Sequence, residues 1–204
     1  MNNTELKTLE YPPLTEDLEE AKTHLDEYGM ALIANVLDKD EVEEMDKRLN
    51  EQFLGEEKYK VGSKVRGDEG LGKESSEEEK VSRLVWNLIN KGDCFLKLID
   101  HPKILPLIQH LIGERVSLCS MGAHMNGSGN EKMALHQDQW PLVPHPMDFP
   151  FMANVMYLIS DNSPENGGTR LIPGSHKWPL IDYRTANGEE IQEMAVSLTA
   201  PKGT

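Results

Sequence analysis

The pattern of apolar residues in this sequence changes at Gly113. Before it, apolar residues recur every three or four positions, as on one face of a helix. After it, short apolar runs alternate with Gly, Pro, Asn and Ser, which is typical of strands joined by turns. We therefore predict one α+β domain over residues 1–204, with a helical front half (1–113) and a β back half (114–204). Several short strands in series suit a sandwich or a barrel.

The front half contains several predicted helices. The first spans 15–28, with Thr15 as a possible N-cap and Gly29 as its end. The stretch MALIANV then predicts a short buried strand. Asp38 is expected to cap a second helix, whose predicted apolar face consists of Val42, Met45, Leu49 and Phe53. Further helical patterns occur at 81–90 and at 101–112, the latter ending at Gly113.

Residues 55–80 interrupt this pattern with a glycine-rich, highly charged segment. A run of this length inside a compact domain predicts either a mobile lid over a binding site or a merely solvated insertion. In the back half, five segments are predicted as strands, namely RVSLCSMGAHM, KMALHQD, FMANVMYLI, GTRLI and EMAVSLTA.

Charge and composition exclude some classes of function. The net charge is −14, from 35 acidic and 21 basic residues, which disfavours nucleic-acid binding and docking to an anionic membrane surface. The N-terminus has no signal-peptide pattern, and no apolar run is long enough to span a bilayer. Cys94 and Cys119 have no metal-ligand spacing, so we predict that both are buried free thiols in a cytoplasmic protein.

His136-Gln137-Asp138 is the strongest candidate for chemistry. On a strand, residues i and i+2 point to the same face, so the imidazole and the carboxylate are expected to share one metal ion. Two histidines and one carboxylate on one face of Fe(II) leave positions open for co-substrate and O₂. His24-Leu25-Asp26 has the same spacing, but it lies in a helical pattern, where these positions point apart. We therefore reject that second pair as a site.

The surroundings of His136 and Asp138 resemble the phytanoyl-CoA dioxygenase family. The resemblance rests on HQDQW, on MANVMYLISDNSPENGGTRLIPGSHKWP and on EYGMALIANVLDKDEVEEM, and it covers roughly residues 20–204. It implies a double-stranded β-helix (a jelly roll) with helices packed outside it. It also implies that His136 and Asp138 bind Fe(II), and that 2-oxoglutarate and O₂ are consumed while a small organic substrate is oxidised. Because Asp138 fills the position that a halide occupies in related halogenating enzymes, the resemblance favours oxygenation.

The resemblance also suggests residues for binding 2-oxoglutarate. Thr169 is a candidate donor to the co-substrate carboxylate, with a surface-facing strand threonine as the alternative. Asn154, polar within an apolar run, is a second candidate facing the pocket, although a bulge or a strand-edge contact is the favoured interpretation. Arg170 alternates to the opposite face from Thr169, so at most one of the two points inward. His176 is expected to be structural rather than a metal ligand. The aromatic residues Trp140, Phe149 and Phe151 are interpreted as either pocket-lining or core residues. His145 is interpreted as a loop residue near the mouth of the pocket.

The family pattern includes a second histidine and, later, an arginine that pairs with 2-oxoglutarate. Both are expected after a segment like Ala200-Pro201-Lys202-Gly203-Thr204, with which this sequence ends. We therefore expect the 204 residues to be a fragment and a poor enzyme alone. Two alternatives remain: a catalytically inactive jelly-roll binding protein of the same family, and another metal enzyme such as a zinc hydrolase. The substrate and the oligomeric state stay open.

Overall fold

The computed structural model describes residues 9–61, 63–66, 70–71, 82–126, 135–136, 138–139, 149–178 and 188–204. For 63–66, 70–71, 82 and 188–189 only the backbone is described. The described helices are α1 (Leu18–Tyr28), α2 (Lys39–Tyr59), α3 (Asp93–Leu96), α4 (Leu105–Ile112) and α5 (Gly188–Glu193). The described strands are β1 (Leu14–Thr15), β2 (Leu32–Ile33), β3 (Ser63–Arg66), β4 (Gly70–Leu71), β5 (Ser82–Trp86), β6 (Gly122–Met125), β7 (Arg170–Leu171) and β8 (Val196–Ser197).

The first two helices begin at aspartates that cap their free N–H groups. Asp38 starts α2 with a capping box, in which its carboxylate accepts from the Glu41 backbone while the Glu41 side chain accepts from the Asp38 backbone. In α1 the N-cap is Asp17, which accepts from two backbone N–H groups, so the prediction of Thr15 as the cap was wrong. Thr15 lies in β1 and donates its hydroxyl to Glu20. Gly29 ends α1, as predicted.

The main core lies between α2 and the elements that follow it. Val42, Met45, Leu49 and Phe53 are all buried along one face of α2, which confirms the predicted apolar face. Phe95 of α3 and Val85 of β5 are among the most deeply buried side chains of this core. α4 ends at Gly113 as predicted, although it begins at Leu105 rather than at residue 101.

The helix predicted at 81–90 is instead a strand. β5 occupies 82–86 and pairs antiparallel with β3 on one side and with β6 on the other, in the sheet order β4-β3-β5-β6. Leu84 and Val85 are consecutive and both buried, so this run has neither the helical period nor the alternation of a half-buried strand. A single helical turn at Leu88–Asn90 follows. The front half therefore supplies three of the four strands in this sheet.

The charged segment predicted as a loop over 55–80 is partly regular structure. Its first residues belong to α2, which extends to Tyr59, and β3 and β4 lie within it. Residues 62, 67–69 and 72–80 lie outside the described residues, so the lid remains a prediction.

The back half is less regular than a series of strands. β7 and β8 pair antiparallel, but α5 and two short 3₁₀ turns lie among them, so the prediction of an all-β half was wrong. Residues 151–157 form no strand, because no ladder partner lies beside them in the described part of the chain. The described strands form sheets of two and four members and no closed barrel.

The last residues join the two halves. The backbone N–H groups of Val36 and Leu37 donate to the Gly203 carbonyl, at 2.8 and 3.0 Å. On the other side, Leu158 donates to the Thr204 carbonyl, while Gly203 donates to the Leu158 carbonyl at 2.7 Å. This segment fixes residues 158–162 against the loop that precedes α2.

Two predictions about general class can be compared with the described residues. None of the helices described is long and apolar enough to cross a membrane. Both cysteines are free. Cys94 is buried as predicted, and desolvation raises the pKa of its thiol, whereas Cys119 is exposed, so its predicted burial was wrong.

Candidate functional site

His136 and Asp138 face each other across a turn. The Nε2 atom of His136 lies 3.5 Å from Oδ1 of Asp138, and each side chain is about half exposed, at 46% and 53%. The structure assigns no strand to residues 135–136 and a turn to 138–139, so the predicted strand is absent from these described positions. The two donor atoms are nevertheless brought together. Gln137 lies outside the described residues.

Two hydrogen-bonding side chains fasten this turn to the segment 149–159. Asn154 donates from Nδ2 to Oδ2 of Asp138 at 2.7 Å. The side-chain oxygen of Gln139 accepts from the backbone N–H of Phe151 and from that of Met152, the latter at 3.0 Å. Asn154 was a candidate for facing the pocket, with a bulge or strand-edge contact as the favoured alternative. Gln139 was not singled out, because glutamine carries no metal-ligand signature and its partners are backbone groups distant in sequence.

The segment 149–159 is itself held to the core by Tyr157. The Tyr157 hydroxyl donates to the Leu98 carbonyl at 2.8 Å. Burial raises the pKa of this phenol to about 12, so the hydroxyl stays protonated and remains a donor at neutral pH. Leu98 belongs to the same buried core as Phe95, and the core therefore fixes one end of the segment that contacts the candidate site.

The side chains of Thr169 and Arg170 contact different partners. The Thr169 hydroxyl contacts the sulfur of Met156 at 3.6 Å, two residues beyond Asn154. Arg170 donates from its guanidinium to the carbonyl groups of Gln192 and Ala195, at 2.5 and 3.4 Å. Arg170 is thus used to hold the chain at the end of α5. Thr169 and Asp138 both contact the same short stretch, 154–156.

The turn S-P-E-N-G-G sets the position of Thr169. Ser163 and Asn166 form a reciprocal cap around the 3₁₀ turn Pro164–Asn166. A Cβ atom at Gly168 would lie 2.7 Å from the Ser163 carbonyl oxygen and 2.8 Å from the Asn162 amide nitrogen, so this position requires glycine. The close approach allows the Gly168 N–H to donate to the Ser163 carbonyl at 2.9 Å, and the chain then enters β7.

His176 contacts the end of α1. Its ring packs on Gly29, where an added Cβ atom would lie 2.4 Å from Nδ1, and its Nε2 atom lies 3.3 Å from the Asp26 carbonyl oxygen. The neighbouring Gly174 N–H donates to the Tyr28 carbonyl at 2.7 Å. The P-G-S-H-K segment therefore docks on the C-terminus of α1, in agreement with the predicted structural role of His176.

This packing predicts a pH-dependent stability. Desolvation lowers the pKa of His176 from its ordinary value of 6.5, with a further lowering from Lys177 and an opposing contribution from Asp26. Because the folded protein disfavours the imidazolium, stability is fully present above about pH 6.5 and is lost as the pH falls through the folded pKa. We expect His176→Gln to reduce the fall in the urea midpoint between about pH 7.5 and about pH 5.5. An unchanged fall would show that His176 does not contribute.

The rejected pair His24 and Asp26 behaves as the helical pattern predicted. His24 is buried, whereas the Asp26 side chain is 65% exposed and lies 2.9 Å from Nε2 of His110. The two side chains therefore have different environments and different partners. The same H-x-D string therefore brings its two side chains together at residues 136 and 138 but not at residues 24 and 26.

Some of the aromatic residues near the candidate site are not core residues. Phe149 and Phe151 are 60% and 53% exposed, so the interpretation of these two as core was wrong. Their exposure leaves them free to contact a substrate, which remains a prediction. Trp140 and His145 lie outside the described residues.

The chemistry of the donor atoms fits part of an iron site. Nitrogen and oxygen ligands lie about 2.0–2.2 Å from such an ion, so two neighbouring ligands are separated by about 3 Å or slightly more. The 3.5 Å between His136 and Asp138 is compatible with that spacing. Within the described residues, no group of three or more histidine, cysteine, aspartate or glutamate side chains is placed to hold a metal ion. The pair thus offers two donor atoms at a spacing that one metal ion would accept.

The sequence profile of the Phytanoyl-CoA dioxygenase (PhyH) family matches residues 25–204. This match covers most of the chain and includes the candidate site. The chain therefore belongs to the phytanoyl-CoA dioxygenase family, as the sequence motifs predicted.

Individual relatives agree with this assignment. The chain is 29% identical over 188 residues to "Dioxygenase af480" of Aspergillus fumigatus, covering 92% of this chain and 56% of that protein. It is 30% identical over 118 residues to "Probable alpha-ketoglutarate-dependent hypophosphite dioxygenase" of Stutzerimonas stutzeri, covering 58% and 40%. It is 25% identical over 173 residues to "Dioxygenase sphC" of Aspergillus fumigatus, covering 80% and 46%. The chain thus spans about half the length of these relatives.

Proposed function

We propose that this protein is an Fe(II)- and 2-oxoglutarate-dependent dioxygenase that oxidises a small organic substrate. The observation that carries the proposal is the convergence of His136 Nε2 and Asp138 Oδ1 within 3.5 Å in a member of this family. The name of one relative, the Stutzerimonas stutzeri protein, also includes a dependence on alpha-ketoglutarate, which is 2-oxoglutarate. The proposed fold of the complete domain is the jelly roll that the family resemblance implies.

In this proposal His136 and Asp138 hold the iron. When bound, the iron supplies the oxidative chemistry with O₂ and 2-oxoglutarate, while the protein supplies position and polarity. One carboxylate oxygen of Asp138 lies beside His136, and the other accepts a hydrogen bond from Asn154. Because a carboxylate occupies this position, oxygenation is preferred over halogenation.

Thr169 and Asn154 are the proposed contacts of 2-oxoglutarate. Thr169 presents a hydroxyl that contacts the sulfur of Met156, and the Asn154 amide has a second N–H besides the one that donates to Asp138. Thr169 contacts the stretch 154–156, to which Asn154 itself belongs. Their donor groups are the kind that fix a carboxylate. Exposed Phe149 and Phe151 are proposed to contact the organic substrate.

The proposal is tested by metal-dependent turnover of the co-substrate. The whole protein, loaded anaerobically with Fe(II), is expected to form succinate from 2-oxoglutarate once O₂ is admitted, in step with O₂ uptake, whereas residues 1–204 alone are expected to form little. Prior treatment with a chelator is expected to remove the activity, and added Fe(II) is expected to restore it. Substrate is not required for a slow background reaction but should accelerate it.

The same experiment separates the alternatives. An inactive binding protein would bind 2-oxoglutarate, measured by calorimetry, without forming succinate at any Fe(II) concentration. A zinc hydrolase would be activated by Zn(II) and would consume no O₂. Either result would overturn the proposed function.

A further inference from the structure

The two oxygens of the Asp138 carboxylate have different surroundings. Oδ1 lies 3.5 Å from His136 Nε2, and Oδ2 accepts from Asn154 Nδ2 at 2.7 Å. An ionised carboxylate only accepts hydrogen bonds, so the N–H side of the Asn154 amide must face it. The hydrogen bond therefore fixes which oxygen is turned toward the histidine.

The residue after Asp138 is fixed as well. The side-chain oxygen of Gln139 accepts hydrogen bonds from two backbone N–H groups, those of Phe151 and Met152. Without an acceptor, these two donors would have to find water or remain unsatisfied. Gln139 and Asn154 thus tie adjacent residues of one turn to the same segment, 151–154, whose far end Tyr157 fastens to the core.

From these contacts we propose that Asn154 and Gln139 are positioning residues for the metal ligand Asp138. Asn154 orients the carboxylate so that one oxygen is presented beside His136, and Gln139 holds the turn on which Asp138 stands. This inference rests on the proposed function, because it assumes that Asp138 is a metal ligand. Hydrogen-bond partners of this kind orient the side chains that bind the metal. Their removal commonly changes metal affinity about 10- to 100-fold.

The test measures metal affinity without turnover. Co(II) binding to the full chain is titrated by its absorption spectrum in the absence of 2-oxoglutarate. Asn154→Leu, which keeps the size and removes the donor, is expected to weaken binding about 10-fold or more and to alter the Co(II) spectrum. Asn154→Gln, which keeps an amide donor, is expected to recover part of the affinity. The matched control is Asn50→Leu, because Asn50 is exposed on α2 and its side chain donates to the Asp46 carbonyl of the same helix.

Gln139 allows a closely paired comparison. Gln139→Met removes the acceptor while keeping a long unbranched side chain, and it is expected to weaken Co(II) binding. Gln139→Glu keeps the oxygen that accepts from residues 151 and 152, and it is expected to bind Co(II) at least as well as Gln139→Met does and with the wild-type spectrum. If the role were only structural, both Gln139→Met and Asn154→Leu would lower the unfolding midpoint of the metal-free protein and leave Co(II) affinity and spectrum unchanged.

Failure of this inference and failure of the proposed function give different results. If Asp138→Ala and His136→Ala bind Co(II) like the wild type, the ligand assignment itself is wrong. If those two changes abolish binding while Asn154→Leu and Gln139→Met bind like the wild type with its spectrum, only the positioning role is overturned.

Discussion

Replacing either His136 or Asp138 by alanine is expected to lower 2-oxoglutarate turnover by at least about 100-fold. The loss of a direct ligand should exceed the roughly 10- to 100-fold effect of removing an outer partner. In the wild type the two donor atoms lie 3.5 Å apart, and each substitution removes one of them. Both side chains are about half exposed, so the substitutions should change the unfolding free energy little.

The matched control for Asp138→Ala is Asp26→Ala. Asp26 stands at the same H-x-D spacing, is similarly exposed, and pairs with His110 rather than with a shared site. We expect Asp26→Ala to retain turnover within about twofold of the wild type, since a surface ion pair contributes little. Equal losses from Asp26→Ala and Asp138→Ala would show that neither effect reports metal binding.

The largest expected effect on stability comes from Phe95→Ala. Phe95 is 2% exposed and lies in the core formed by α2, β5 and the residues around α4. Removing a buried aromatic ring loses its transfer free energy and leaves a cavity, at a cost of about 3–5 kcal/mol. The Phe95 carbonyl also accepts from Leu98, whose own carbonyl accepts from Tyr157, so loosening α3 should reach the segment beside the candidate site.

Urea unfolding measures this cost, with Leu96→Ala as the control. Leu96 is adjacent on α3 but 43% exposed, so its truncation should cost much less than that of Phe95. The expected signature is a lower midpoint for Phe95→Ala at an unchanged slope. Similar costs for the two variants would contradict the placement of Phe95 in the core.

The helices were predictable where sequence and packing act locally. Asp38 with Glu41 three residues later is a capping box, and the apolar face of α2 repeats at helical spacing. β5 was mistaken for a helix because Leu84 and Val85 are adjacent and both buried at the centre of a sheet. Such a short apolar run is decided by its neighbours in space, which the sequence does not reveal.

The candidate site likewise contains residues that the sequence predicts and one residue that it does not. His136 and Asp138 became candidates through residue type, spacing and the family motifs around them, and their side chains converge, although on a turn rather than on a strand. The role of Gln139 could not be predicted, because its partners are backbone N–H groups of residues 151 and 152. Any residue type supplies such groups, so no sequence pattern marks them.

The most direct test of the central claim is to locate the metal ion. Crystals of the full chain grown anaerobically with Fe(II) should show an anomalous-difference peak between His136 Nε2 and Asp138 Oδ1, about 2.0–2.2 Å from each. The peak is expected in the wild type and is expected to be absent from Asp138→Ala. A well-occupied peak elsewhere, such as beside His176 or between His110 and Asp26, with none at His136 and Asp138, would contradict the account.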